Sequence, residues 1–85
     1  MTKKVLVVED EIELAQLVEL HLQDLGCRVT LAADGDRGLR LATSKAFDLI
    51  ILDLMLPGTD GLEICKQVRR QSIYTPTMML AVSPR

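Results

Sequence analysis

Aromatic side chains are nearly absent from this chain: one Phe, one Tyr and no Trp among 85 residues. The core must therefore be built from Leu, Ile, Val, Ala and Met, and at this length it is one small domain with little surface to spare for burial. Excess positive charge is also lacking, since Lys and Arg total 10 against 12 Asp and Glu, for a net charge of −2. That balance excludes the basic footprint of a nucleic-acid-binding domain. No apolar run is long enough for a signal peptide or a membrane span, because Met1-Thr2-Lys3-Lys4 leads only into Val5–Val8 before Glu9 interrupts. A cytoplasmic protein with no membrane or nucleic-acid partner is expected. The two cysteines, Cys27 and Cys65, follow no metal-ligand spacing and fit reduced, partly buried thiols.

What is present is a set of short aliphatic runs. Val5-Leu6-Val7-Val8 and Leu49-Ile50-Ile51-Leu52 are uninterrupted and rich in β-branched residues, the pattern of strands buried on both faces of a parallel sheet. Arg28 to Ala32 alternates and fits a less buried edge strand, and Thr77 to Val82 supplies a fourth. Helical spacing runs from about Glu11 to Leu25, with Ile12, Leu14, Ala15, Leu17, Val18, His21, Leu22 and Leu25 as the buried stripe. Gly26 is the left-handed residue expected to stop that helix. A second helix spans about Asp36 to Ser44, with Leu39, Leu41 and Ala42 inward. A third opens after Pro57-Gly58-Thr59-Asp60-Gly61 and runs to about Arg70, with Leu62, Ile64, Cys65 and Val68 inward. The order βαβαβαβ predicts an α/β fold, a doubly wound parallel sheet with right-handed crossovers.

In such sheets ligands collect at the carboxyl ends of the strands. Here those ends carry Glu9-Asp10 and Asp53. The loop after the first strand, Val8-Glu9-Asp10-Glu11-Ile12, has none of the Gly and Ser/Thr that cradle phosphate, so flavin and dinucleotide binding are disfavoured. Glu11 is assigned to complementing the dipole of the first helix. Carboxylates at neighbouring strand ends repel unless a cation joins them. Mg2+ (or Mn2+) suits, as a hard ion that takes one or two carboxylates and keeps several waters. Beside it, Asp53 is placed to attack a phosphoryl donor in line and form an acyl phosphate.

Two segments, Val5-Leu6-Val7-Val8-Glu9-Asp10-Glu11 and Leu49-Ile50-Ile51-Leu52-Asp53-Leu54-Met55-Leu56-Pro57-Gly58-Thr59-Asp60-Gly61, resemble the signatures of response regulator receiver domains. The resemblance covers essentially the whole chain. It implies a flavodoxin-like sheet of strand order 2-1-3-4 over residues 1–85, and a module of two-component phosphorelay signalling. Asp53 is then the phosphoacceptor, charged by a sensor histidine kinase. Glu9, Asp10 and Asp53 are the metal-binding carboxylates, with the backbone carbonyl of Met55 as a further ligand, and Pro57 and Gly61 shape the adjoining loop. Of the chain's one histidine, His21, a partly buried flank position is expected, not a phosphorelay role.

Two departures from the family pattern stand out. Ala81 occupies the position where receivers usually carry a Thr or Ser that bonds a phosphoryl oxygen, and Ser83 lies too far along to replace it. The family's lysine, on a fifth strand, has no counterpart before the chain stops at Ser83-Pro84-Arg85; none of Lys3, Lys4, Lys45 or Lys66 is placed to substitute. The sequence therefore reads as a receiver truncated after the fourth strand, with switching impaired by two lost charge-assisted contacts of roughly 1.5–3 kcal/mol each. An open fourth strand and an uncovered sheet face predict a homodimer. The alternative is a degenerate receiver that is never phosphorylated and acts as an interaction or dimerisation module. An aspartyl phosphohydrolase is disfavoured because Met55 stands where its general acid is required, so no enzyme activity is expected.

Overall fold

The aliphatic runs lie side by side. A computed structural model, described at residues 2–53, 56, 58–59, 61–71 and 76–80, with the backbone alone at 77–80, alternates strands and helices throughout. The elements are β1 (Lys4–Val8), α1 (Ile12–Asp24), β2 (Arg28–Ala32), α2 (Gly35–Ser44), β3 (Leu49–Asp53), α3 (Gly61–Gln71) and β4 (Thr77–Leu80). All four strands are parallel, in the order β2-β1-β3-β4. The flavodoxin-like order expected from the sequence is the one observed.

Register explains the uninterrupted runs. Val5 of β1 sits between Val29 and Leu49, and Val8 between Ala32 and Leu52, so β1 has a strand on each side. Its side chains alternate between two layers. Leu6, Val8, Ile50 and Leu52 face α2 and α3, where they pack with Ile64, Val68 and the half-buried Leu39, Leu41 and Phe47. Val5, Val7 and Ile51 face the other way, against Val18 and Leu22 of α1 and the half-buried Val29 and Leu31. Each fully buried aliphatic side chain contributes about 1.5–3 kcal/mol relative to exposure.

Helix α1 buries a narrower stripe than its spacing predicts. Ala15 is buried and Leu14, Val18 and Leu22 are half-buried, but Ile12, Leu17 and Leu25 are 67%, 51% and 79% exposed, and His21 is exposed as well. Among the described residues, α1 packs on the sheet face formed by β1 and β2. Leu17 and His21 are each rotated by about 100° from the inward Val18 and Leu22. Leu25 follows the helix, its N–H bonded to the carbonyl of Leu22 at 3.1 Å, and Gly26 then takes the expected left-handed conformation at φ +86°. Leu62, also expected inside, is 61% exposed, while Gly61, Ile64 and Val68 form the buried side of α3.

The start of α2 is built for a close approach. Asp34 caps it, accepting the N–H of Arg37 at 2.8 Å. Within the first turn, Asp36 reaches across to the segment between β3 and α3, where its Oδ1 accepts the Thr59 N–H at 3.1 Å and the Thr59 hydroxyl at 2.6 Å. These two bonds, the hydroxyl first, hold the Asp36 carboxyl below its usual value of 3.8. Gly58 beside it has φ +78°, and a Cβ on Gly35 would overlap the Thr59 carbonyl. Gly35→Ala is expected to destabilise the domain by about 2 kcal/mol or more in urea denaturation, in spite of the better helix propensity of Ala.

Candidate metal centre

Three carboxylates meet at the carboxyl edge of the sheet. Glu9 directly follows β1 and prolongs its ladder through an N–H bond to the Ala32 carbonyl at 2.9 Å. Its side chain is 4% exposed, and its Oε2 accepts the Glu11 N–H at 2.8 Å. Glu11 occupies the N-cap position of α1 without capping through its own side chain. The Glu9 carboxylate thus serves an amide at the positive end of that helix. Asp53 is the last residue of β3 and is 0% exposed, whereas Asp10 is exposed.

One carboxylate oxygen from each of Glu9, Asp10 and Asp53 lies within 4.8 Å of the other two. At an effective dielectric near 20, unit charges that close repel by about 3 kcal/mol. The donor set is all oxygen and anionic, two of its members are fixed in buried positions, and the third is open to solvent. That chemistry fits a hard divalent cation such as Mg2+ or Mn2+ better than the softer metals held by His and Cys.

Gly61 is the first residue of α3 and is buried. Met55, Pro57, Ala81 and Ser83 lie outside the described residues. Lys3 and Lys4 lie at the opposite edge of the sheet, where the Lys4 N–H bonds an Asp48 oxygen at 2.8 Å, and Lys45 follows the end of α2. Two features had no signal in the sequence. Ile12 and Arg37 border a cavity of about 250 Å³ next to Glu9 and Asp10. The bonds between Asp36 and Thr59 join residues 23 apart, and no local pattern announces such a pair.

A family model described as the response regulator receiver domain matches residues 5–84. The chain belongs to the response regulator receiver family. It is 45% identical over 80 residues to the alkaline phosphatase synthesis transcriptional regulatory protein PhoP of Bacillus subtilis, covering 94% of this chain and 33% of that protein. Among solved structures, the chemotaxis response regulator CheY4 of Vibrio cholerae superposes with a TM-score of 0.87 at 42% identity, over 93% of this chain and 68% of that one. The receiver domain of the sensor histidine kinase PA1611 from Pseudomonas aeruginosa, which has a magnesium ion coordinated in its active-site cleft, gives 0.88 at 34% identity, over 95% and 68%. The chain spans about a third of the length of the curated relative it matches. Receivers of this family are signalling domains and generally not enzymes. No helix among the described residues is long and apolar enough to cross a membrane.

If the carboxylates repel as their spacing requires, Asp10→Asn relieves the strain. In the absence of divalent cations this variant is expected to be more stable than the parent by about 1 kcal/mol. Urea denaturation with added Mg2+ should shrink that advantage, because the parent gains the ion and the variant gains less.

Proposed function

We propose that this chain is the phosphoacceptor module of a two-component pathway, with Asp53 taking a phosphoryl group from the phosphohistidine of a sensor kinase. The observation that carries this reading is the meeting of three carboxylates from the ends of β1 and β3, with Asp53 fully buried among them. Glu9, Asp10 and Asp53 would hold Mg2+ or Mn2+, with the Met55 carbonyl as a further ligand. Bound there, the ion would supply charge neutralisation for the transferred group. A carboxylate oxygen of Asp53 forms a bond to phosphorus as the P–N bond of the donor breaks; the electron pair stays on that ring nitrogen, and a donor protonated on its other ring nitrogen leaves as neutral imidazole. Burial of Asp53 fixes its direction of attack and excludes competing water.

Ala81 favours a second reading, a degenerate receiver that uses the fold for protein contacts alone, because it offers no hydroxyl to a phosphoryl oxygen. Intact mass after incubation with Mg2+ and a small phosphodonor such as phosphoramidate separates the two. A phosphoryl adduct on the parent and none on Asp53→Asn is expected, and no adduct on either would establish the degenerate reading. Ala81→Thr should speed adduct formation by about tenfold or more, the worth of one charge-assisted hydrogen bond.

Self-association belongs to the same reading. β4 is an outer strand of the described sheet, and α1 leaves Ile12, Leu17 and Leu20 more than half exposed. Two copies that pair edges or bury this surface would form a homodimer. Sedimentation is expected to show a concentration-dependent dimer; a monomer at all concentrations would exclude it.

A further inference from the structure

The segment from Asp53 to Gly61 carries both the proposed phosphoacceptor and the proposed carbonyl ligand of Met55. Its sequence, Leu54-Met55-Leu56-Pro57-Gly58-Thr59-Asp60, is rich in turn formers, which admit many conformations in an unrestrained chain. A metal site needs its ligands held to about 0.5 Å. Its two ends are anchored, at Asp53 in β3 and at the buried Gly61 that starts α3.

Between those ends the segment is gripped from α2. We propose that Asp36 is a positioning residue for this loop, and through it sets the Mg2+ affinity of the carboxylate centre. Three observations of different kinds meet here. Asp36 Oδ1 accepts both the N–H and the hydroxyl of Thr59, and bonds to a carboxylate are the stronger, charge-assisted sort. Gly35 has no Cβ, which lets the first turn of α2 approach the Thr59 carbonyl. Gly58, at φ +78°, brings its backbone against Asp36, so that a Cβ there would lie 2.9 Å from Asp36 Oδ2. Asp36 is not one of the three clustered carboxylates and lies on a different element from each of them. It acts on the ion only through the loop.

The inference rests on the phosphoacceptor reading for its purpose, and its test separates the two. Mg2+ binding is titrated calorimetrically for the parent, Asp36→Ala, Thr59→Val, Thr59→Ser and the double variant Asp36→Ala/Thr59→Val, each verified as folded by circular dichroism. Adduct formation with phosphoramidate is followed in parallel at limiting and saturating Mg2+. Asp36→Ala and Thr59→Val are expected to raise the Mg2+ Kd about threefold to tenfold, as the loop must then be ordered on binding. Thr59→Ser, which keeps the hydroxyl, should match the parent. The double variant should bind no more weakly than Asp36→Ala alone, since both changes break one contact. The adduct rate of the variants should approach the parent's once Mg2+ saturates. A clasp that served stability alone would lower the unfolding midpoint and leave the Kd of the folded protein within about twofold of the parent, which would overturn the inference. If Asp36→Ala fails to fold, the difference between Thr59→Val and Thr59→Ser decides in the same way. A parent that binds Mg2+ but forms no adduct overturns the phosphoacceptor reading, and the titrations still judge the clasp. A parent that binds no Mg2+ overturns both.

Discussion

The carboxylate centre depends on one constraint, the locked register between β1 and β3. Val8 lies opposite Leu52, so the residues that follow, Glu9 and Asp10 on one side and Asp53 on the other, emerge together at the same edge. A slip of one residue would turn Val5 and Val7 into the layer of α2 and α3 and send Leu6 and Val8 toward α1. Both layers are filled by side chains chosen for their present side, with Ile64 and Val68 on one and Val18 and Leu22 on the other. The apolar core therefore does the aligning, and the acidic residues are carried to the edge by it.

Holding anions together works against stability, and the local structure shows how the cost is contained. Glu9 is turned toward the amide at the head of α1, so part of its charge is met by a donor that the helix leaves available. Asp10, the third member, stays in solvent, where water screens it. Asp53, at the end of β3, is buried. A buried carboxylate beside two others makes sense where a cation is expected, because an ion pair in a partly dry site is far stronger than one at the surface.

Much of this was legible from the residues. The two doubly buried strands announced themselves as unbroken aliphatic runs, and β2 was readable as an edge because Arg28 to Ala32 alternates. The meeting of Glu9, Asp10 and Asp53 followed from placing acidic residues at the ends of adjacent strands. What was lost lay in rotation and in distance. Spacing alone made α1 look apolar over a wide arc, but a helix lying on one sheet face buries only the residues that point at it. Leu17 and His21, one position before Val18 and Leu22, fall outside that arc. The bonds from Asp36 to Thr59 were invisible for a different reason. Asp36 lies in the first turn of a helix and Thr59 sits in a turn-rich segment, and only the packing of α2 beside α3 in the fold brings them together.

The charge distribution adds a last consequence. A net charge of −2 conceals a polar arrangement, since Lys4, Arg28 and Lys45 surround a cavity at the amino edge of the sheet while the carboxylates crowd the carboxyl edge. Lys4 and Arg28 are direct neighbours in register at that amino edge, which the Asp48 carboxylate shares. Such a separation draws cations to the carboxyl edge and turns anions away from it. A phosphodonor is itself an anion. On the phosphoacceptor reading proposed above, the same field that gathers a divalent ion would oppose the approach of a phosphoryl group to Asp53 until that ion is in place, by electrostatics alone.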